Sequence, residues 1–384
     1  MHTLRIYALL NALANNLVVP FVSFLTASAG IVGEPLALVS SAGTTFPGLV
    51  QYALSRMKTE AKTLVVAGTG LAGLLWVVMA AFQLSGSAFV VTFLAIEALS
   101  GASLFGWMLL MESVSRTARG AILARYQVYA YLGGLGATMF AGVVVGPQLS
   151  LMRYFFAGAG VLYLVNAWVI SRDDARVEAS PGTGKVSPRL RRFLGVNSLF
   201  VFVWSLAWPL FPLAQVNIFQ MSETEVAVIA VIGGLSSVLL QRVIGRVADR
   251  RRRHMMFAGR FMLASFPLVY ALASSVYQIY VVNIVSGFTN STGIAYTSYL
   301  FENSIDKRKG IGLYNLANAL AAAAGSSLSG LAYVALSGGD AIAVLRTMLM
   351  VVAGARIAVS FLYLTLKEGE GGAVSVGGKA VGAK

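Results

Sequence analysis

One acidic residue lies in the middle of a long apolar segment. Glu97 is the only charged residue of the stretch 87–111 and stands near its midpoint. A charged carboxylate inside a membrane costs several kcal/mol, so it must face a watery cavity, have a partner or be protonated. Ser100 and Gly101 follow at the third and fourth positions and share its face of a helix. This stripe has the chemistry to bind a cation or exchange a proton, or else to form a neutral structural hydrogen bond.

Other reactive chemistries are missing from the sequence. The chain has no cysteine, which excludes thiolate chemistry, iron–sulfur ligation and disulfides. Its two histidines, His2 and His254, lie outside the centres of the apolar segments. No Gly-x-x-x-x-Gly-Lys-Ser/Thr loop occurs, so ATP is not an energy source within this chain. The sequence therefore favours a protein that is not an enzyme and needs no metal or cofactor.

The composition predicts that the elements around Glu97 are membrane helices. Of 384 residues, 57% are hydrophobic and 11% are charged, whereas a soluble domain has about 25% charged residues. Twelve apolar stretches are each long enough to cross a hydrocarbon core of about 30 Å as a helix. We place them at 5–28, 34–55, 63–84, 87–111, 124–147, 150–171, 193–217, 224–245, 255–275, 277–301, 311–336 and 341–366. The first has no cleavage site after it and is interpreted as a retained span.

The net charge of +14 is concentrated in alternate loops. Basic residues follow the second, fourth, eighth and tenth stretches and fill the centre of the chain, whereas the other loops hold acidic residues such as Glu34 and Asp340. The positive-inside rule then places both termini in the cytoplasm of a multi-pass protein, which we expect in the cell membrane. Because the charge is explained by topology, nucleic acid is not an expected partner.

The two halves of the chain resemble each other at an offset of about 190 residues. Gln51 and Arg56 match Gln241 and Arg246, and Arg119-Gly120 matches Lys309-Gly310. Six helices in each half give both halves the same orientation, which predicts a parallel repeat about an axis along the membrane normal. We therefore expect an all-α polytopic membrane protein with 12 transmembrane helices in two six-helix bundles related by a parallel pseudo-two-fold. The predicted regions are a first bundle at 1–171, a cytoplasmic linker at 172–192, a second bundle at 193–367 and a disordered tail at 368–384.

One loop carries a family resemblance. The segment from Gly245 through Asp249 to Arg253 resembles the signature loop of the major facilitator superfamily, Gly-x-x-x-Asp-Arg-x-Gly-Arg-Arg/Lys, with Arg252 in place of its second glycine. The corresponding loop after the second stretch, Ser55 to Glu60, lacks the glycine and the aspartate. The resemblance identifies a superfamily and no subfamily.

The resemblance implies a gate at this end of the molecule. Asp249 is placed to cap a neighbouring helix and to pair with Arg260 in one conformational state only. Simple anchoring of the basic residues at the membrane surface is the alternative interpretation. The predicted gating residues are Asp249, Arg246, Arg250, Arg260 and Arg56.

The resemblance also implies that helices one, four, seven and ten line a central cavity. Glu97 and Asn290 would then lie on opposite walls. The asparagines have an alternative role in tying helices together, and Trp204 an alternative role in packing. The predicted substrate-binding or proton-coupling residues are Glu97, Asn290, Asn15, Asn16, Trp204, Asn11 and Ser100.

The resemblance implies a secondary active transporter that works by alternating access. One carboxylate, an aromatic side chain and several amides suit proton-coupled export of a drug-like or amphipathic compound. A sugar or metabolite importer, a non-transporting receptor or scaffold, and a lipid-modifying membrane enzyme are the alternatives. The expected partners are a small-molecule solute, protons and membrane lipid, and the expected state is a monomer.

Overall fold

The computed structural model describes residues 2–114, 119–146, 148–173, 177–179 and 185–367. The first part of the chain contains six long helices and a short two-stranded pairing, in which β1 (Thr59–Glu60) runs antiparallel to β2 (Glu178–Ala179). The helices are α1 (His2–Ser28), α2 (Glu34–Ser55), α3 (Ala61–Ala81), α4 (Gly86–Val114), α5 (Arg119–Val145) and α6 (Met152–Ser171). A 3-10 turn at Leu149–Leu151 precedes α6.

The second part of the chain is also helical, but several of its helices are interrupted. Its elements are α7 (Pro188–Ser205), α8 (Leu210–Asn217), α9 (Glu223–Arg250), α10 (Arg252–Met262), α11 (Ser265–Leu272), α12 (Val276–Asn283), α13 (Val285–Ser291), α14 (Gly293–Asn303), α15 (Lys307–Leu336) and α16 (Ala341–Ser360), followed by a 3-10 segment at Phe361–Thr365. The prediction of an all-α chain is confirmed. The tail predicted at 368–384 and residues 174–176 and 180–184 of the predicted linker lie outside the described residues, and α7 begins at Pro188, inside the predicted linker.

In the part of the chain that the structure describes, nine helices are long and apolar enough to cross a membrane. The stretches predicted at 34–55, 124–147 and 277–301 are not among them. Serine, threonine and glutamine lower the mean hydropathy of α2, and breaks divide 277–301 into α12, α13 and α14. Within 124–147, the apolar helix that qualifies by composition is the shorter segment Gly133–Val145. The chain is thus a polytopic helical membrane protein, and the number of twelve spans stays a prediction.

Prolines explain two of the helix breaks. Pro209 has no N–H to donate to the Ser205 carbonyl, and the Trp208 N–H bonds that carbonyl instead at 3.0 Å. In the same way, Pro267 cannot bond the carbonyl of Leu263, where α10 gives way to α11. The ladder of backbone hydrogen bonds is therefore interrupted between α7 and α8 and between α10 and α11, inside stretches that the sequence predicted as single spans.

A long seam joins the two halves of the chain. Helix α2 packs along α15, and α5 packs against α9. Gly48 permits the first contact, because a Cβ atom there would lie 2.6 Å from the carbonyl oxygen of Asn315. Hydrogen bonds lie along the same seam. Ser326 Oγ donates to the Ala37 carbonyl at 2.9 Å, and Asn315 Nδ2 donates to Gln51 Oε1 at 2.6 Å. Helices α3 and α6 pack on α4 and α1 within the first half.

Candidate functional site

A cavity of about 590 Å³ surrounds Glu97. Its described lining comes from helices α1 to α6, all in the first half of the chain. Predicted site residues that line it are Asn11, Asn15, Glu97 and Ser100. The structure thus brings together four of the seven residues expected to bind substrate or couple protons.

Glu97 is the one carboxylate among the described lining residues of this cavity. It is 7% exposed, and a Cβ atom on Gly43 would lie 3.7 Å from its Oε2 atom. Among the described side chains, none donates a hydrogen bond to it or forms an ion pair with it. Tyr163 also lines the cavity and donates a hydrogen bond to Asn15 Oδ1 at 3.3 Å. The carboxylate is therefore available to a cationic group or a proton that enters the cavity.

Three hydroxyl groups of the cavity wall form a cluster, which we call the hydroxyl cluster: Tyr7, Thr69 and Ser103. The Tyr7 and Ser103 oxygens are 2.9 Å apart, and those of Thr69 and Ser103 are 2.7 Å apart. Sequence reasoning missed this cluster. The signal was present in part, because Ser103 and Trp107 continue the stripe of Glu97 and Ser100 at helical spacing and both line the cavity.

A second cavity of about 440 Å³ contains the other predicted amides. Asn16 and Asn290 line it, together with Asn283 and Ser286. Unlike the first cavity, it has walls from both halves of the chain, since Asn16 lies on α1 and Asn290 on α13. The two cavities have Ala12 and Ala130 in common. The sequence predicted Glu97 and Asn290 on opposite walls of one central cavity. In the structure they line two different cavities that share Ala12 and Ala130.

Trp204 lines neither of these two cavities and instead packs beside Arg260. The Arg260 guanidinium lies over the rings of Tyr296, Phe200 and Trp204 at 4.3, 4.8 and 5.1 Å. It also donates to Asn197 Oδ1 at 3.4 Å, an oxygen that accepts a second bond from the Tyr363 hydroxyl at 2.8 Å. Arg260 is thus held by an aromatic and amide environment inside the second half.

The remaining predicted gating residues lie at one end of the molecule. Arg56 is exposed, and its guanidinium lies 4.6 Å from the centre of the Tyr52 ring. The side chains of Asp249, Arg246 and Arg250 lie outside the described residues, so the pairing of Asp249 with Arg260 stays a prediction. Nearby, Arg252 forms an ion pair with Glu302. Arg308 at the start of α15 donates to the Leu54 and Met57 carbonyls at 3.0 Å, across the seam between the halves.

The fold and the buried polar cavities define a polytopic helical protein with the architecture of solved membrane transporters. The nucleoside transporter NupG is similar over 95% of this chain and 98% of its own, with a TM-score of 0.69 and 10% identity. The human organic anion transporter MFSD10 is similar over 94% of this chain and 98% of its own, with a TM-score of 0.65 and 15% identity. For a bacterial homolog to the human lysosomal transporter Spinster, the coverage is 95% of both chains, the TM-score 0.67 and the identity 12%.

The sequence adds a family match to this fold. Residues 193–380 match the model of the Major Facilitator Superfamily. This match covers the second half of the chain, and no subfamily is indicated. No curated protein matches the sequence.

Proposed function

We propose that this chain is a secondary active transporter that moves a small solute across the cell membrane by alternating access. The observation that carries the proposal is the Glu97 carboxylate, which lies in a 590 Å³ cavity with no counter-ion among the described side chains. A lone buried carboxylate is costly in a membrane unless it has a function in binding or in proton movement. The match to the superfamily model supports solute transport as that function.

The proposed architecture has twelve spans in two six-helix bundles, 1–171 and 193–367, with both termini in the cytoplasm. The pairs α7–α8 and α10–α11 and the trio α12–α14 each count as one interrupted span. The basic residues after α2, α9 and α14 support this orientation.

In this arrangement the first cavity faces the cytoplasm. Its lining extends from Val19 down to Tyr7 and Met111, near the ends of α1 and α4 that the topology assigns to the cytoplasm. The opposite ends of the helices share a hydrophobic core that includes Phe21, Phe24, Leu210 and Leu213. Apolar packing of this kind supports a conformation that is closed toward the outside.

The proposed substrate is a drug-like or amphipathic organic cation, exported in exchange for protons. The ammonium group of such a compound would pair with Glu97, and its apolar part would contact Trp107 and Leu104 of the same cavity. Release of the cation leaves the carboxylate free to take up a proton, which would couple the two movements. The hydroxyl cluster adds polar partners on the same wall.

The test compares wild type with Glu97→Gln in detergent, by thermal unfolding in the presence of organic cations, sugars, amino acids and organic acids. A ligand at 100 times its dissociation constant stabilises the folded state by about 2.7 kcal/mol. We expect organic cations to stabilise wild type and to lose this effect in Glu97→Gln. In proteoliposomes, the variant should lose the pH dependence of cation transport.

Two results would count against the proposal. Transport by Glu97→Gln at full rate and with unchanged pH dependence would remove Glu97 from the coupling mechanism. Stabilisation of neither protein by any solute class would favour a receptor or scaffold with a transporter fold. The loop from Ser55 to Glu60, which lacks the glycine and aspartate of the superfamily signature, favours that second candidate.

A further inference from the structure

The second cavity presents hydrogen-bond acceptors. Asn16 Nδ2 donates to the Ala12 carbonyl at 3.0 Å, and Asn283 Nδ2 donates to the Ile279 carbonyl at 2.8 Å. A carbonyl oxygen can only accept, so these bonds fix which end of each amide points at the backbone. The Oδ1 atoms of both asparagines are therefore directed away from their own helix backbone, on a wall of the cavity.

A chain of bonds fixes Asn290 in the same sense. The Ser237 hydroxyl donates to the Gly233 carbonyl at 2.7 Å, so its only proton is already used. Ser237 Oγ must then accept the bond from Asn290 Nδ2, which is 3.0 Å long. Asn290 is an exposed residue on the cavity wall, and no described side chain donates a hydrogen bond to its Oδ1.

The two cavities have the same polarity. Neither has a lysine or arginine among its described lining residues. The first contains the Glu97 carboxylate, and the second contains the amide oxygens of Asn16 and Asn290. Asn15 and Asn16 are consecutive on α1 and line different cavities, so α1 forms the partition between them. At the shared edge, both cavities contact Ala12 and Ala130, whose side chains are single methyl groups.

We propose that the two cavities form one bipartite site for an elongated organic amine with hydrogen-bond donors at both ends, such as an aliphatic diamine. One ammonium group pairs with Glu97, the aliphatic part crosses the edge at Ala12 and Ala130, and the second ammonium donates to Asn16 and Asn290. This inference rests on the proposed function, because it uses Glu97 as the cation-binding group. It adds a second, uncharged subsite that selects the far end of the ligand.

The experiment measures the affinity of the purified protein for diaminoalkanes of increasing length and for monoamines of matched length, by calorimetry in detergent. A hydrogen bond to a charged group is worth roughly a factor of ten in affinity. We expect wild type to bind the best diamine about tenfold more tightly than its matched monoamine. Asn290→Leu should lose this preference and keep the monoamine affinity, whereas Glu97→Gln should weaken both.

Two further variants make the result independent of folding defects. Asn290→Asp keeps an acceptor at the same place and adds a negative charge, so it should bind the diamine more tightly than wild type. Asn303→Leu is the control, because Asn303 Nδ2 donates to the Tyr299 carbonyl of its own helix at 2.8 Å and Asn303 lines neither cavity.

The possible failures are distinguishable. Equal affinity of wild type for diamine and monoamine, or an equal loss of both in Asn290→Leu, would overturn the second subsite and leave Glu97 as the cation site. Binding of neither amine to wild type, or unchanged binding of both to Glu97→Gln, would overturn the proposed function and the bipartite site together.

Discussion

At the scale of single residues, the first cavity combines a carboxylate with neutral hydroxyl and amide groups. The three hydroxyl groups of the hydroxyl cluster hydrogen-bond one another, and all three pairs of oxygens lie within 3.4 Å. The main chain at Tyr7 is held as well, since Asn166 Nδ2 donates to its carbonyl at 3.3 Å. These contacts tie α1, α3, α4 and α6 together next to Glu97, so the cavity wall is structural as well as polar.

Removal of one hydroxyl from the cluster should destabilise the protein. Thr69→Val keeps the shape of the side chain, but it leaves the buried Ser103 and Tyr7 hydroxyls with one partner fewer. We expect a loss of about 1–2 kcal/mol in the free energy of unfolding. Thr92→Val on α4 is the matched control, because Thr92 Oγ1 donates only within its own helix, to the Ala88 carbonyl at 2.7 Å. Equal unfolding temperatures for the two variants would contradict the assigned role of the cluster.

The sequence could predict part of the site at this scale. Glu97 and Ser100 were recognisable because a polar stripe at helical spacing is a local pattern. Tyr7, Thr69 and Tyr163 were not, since single hydroxyl groups are common in membrane helices and acquire meaning only through neighbours from other helices. For the same reason, the sequence could group Asn15, Asn16 and Asn290 with Glu97 but could not tell which of them share its cavity.

At the scale of elements, the interrupted helices of the second half depend on a buried arginine. Arg356 of α16 is fully buried, and its guanidinium donates to the Trp204 carbonyl at 2.6 Å and to the Leu263 carbonyl at 2.7 Å. These carbonyls lie at the two breaks associated with Pro209 and Pro267. The side chain therefore replaces the donor that Pro267 cannot supply to Leu263, and it adds a second donor to the Trp204 carbonyl, which the Ala207 N–H reaches only at 3.4 Å.

No role for Arg356 could be assigned from the sequence, although its position near the middle of an apolar span was plain. The prolines were visible too, but the predicted spans 193–217 and 255–275 ran through them. Mean hydropathy identifies a segment that faces lipid, but it does not change where a proline interrupts the backbone hydrogen bonds of the helix. The contacts of Arg356 with the Trp204 and Leu263 carbonyls join three helices that are far apart in the sequence, so they exist only in the folded structure.

Arg356→Met should destabilise the protein by about 2 kcal/mol, because it removes the side-chain donor from the Leu263 carbonyl and leaves the Trp204 carbonyl with the Ala207 N–H at 3.4 Å. Arg356→Lys should be intermediate, since a single ammonium lacks the forked geometry that reaches both helices. Thermal unfolding without ligand provides the measurement. Arg153→Met is the control: Arg153 is exposed and lies over the ring of Tyr154 at 4.7 Å. A loss as small for Arg356→Met as for Arg153→Met would rule out the supporting role.

At the scale of the whole molecule, the seam between α2 and α15 joins the halves over much of its length. Ser327 Oγ donates to Glu34 Oε1 at 2.8 Å at one end, and Arg308 donates to the Leu54 and Met57 carbonyls at the other. The arginine lies where α2 ends, and a cation there is favoured by the partial negative charge of a helix C-terminus. Polar contacts of moderate strength along such a seam suit a protein whose halves must move relative to each other.

Composition predicted the global features well, because contact with lipid is a property of the whole chain, whereas the orientation inferred from the charges stays a prediction. The helical class and the multi-pass nature followed from composition, and the resemblance to the superfamily followed from one loop. The contact between halves was beyond such reasoning. It depends on pairs such as Gly48 with the Asn315 backbone, which are far apart in the sequence and carry no pattern of their own.

A bulky residue in this seam should shift the conformational equilibrium of the transporter. Gly48→Val places side-chain atoms where a Cβ alone would already lie 2.6 Å from the Asn315 carbonyl oxygen, so the described packing of α2 on α15 becomes unfavourable.

The chain has no cysteine, and a single Ser100→Cys reporter in the first cavity can therefore be labelled selectively. In inside-out vesicles, a membrane-impermeant maleimide should label the reporter readily, and Gly48→Val should slow the reaction several-fold. Gly158→Val is the control, because a Cβ at Gly158 meets open space. Unchanged labelling in Gly48→Val would mean that this contact does not distinguish the conformational states.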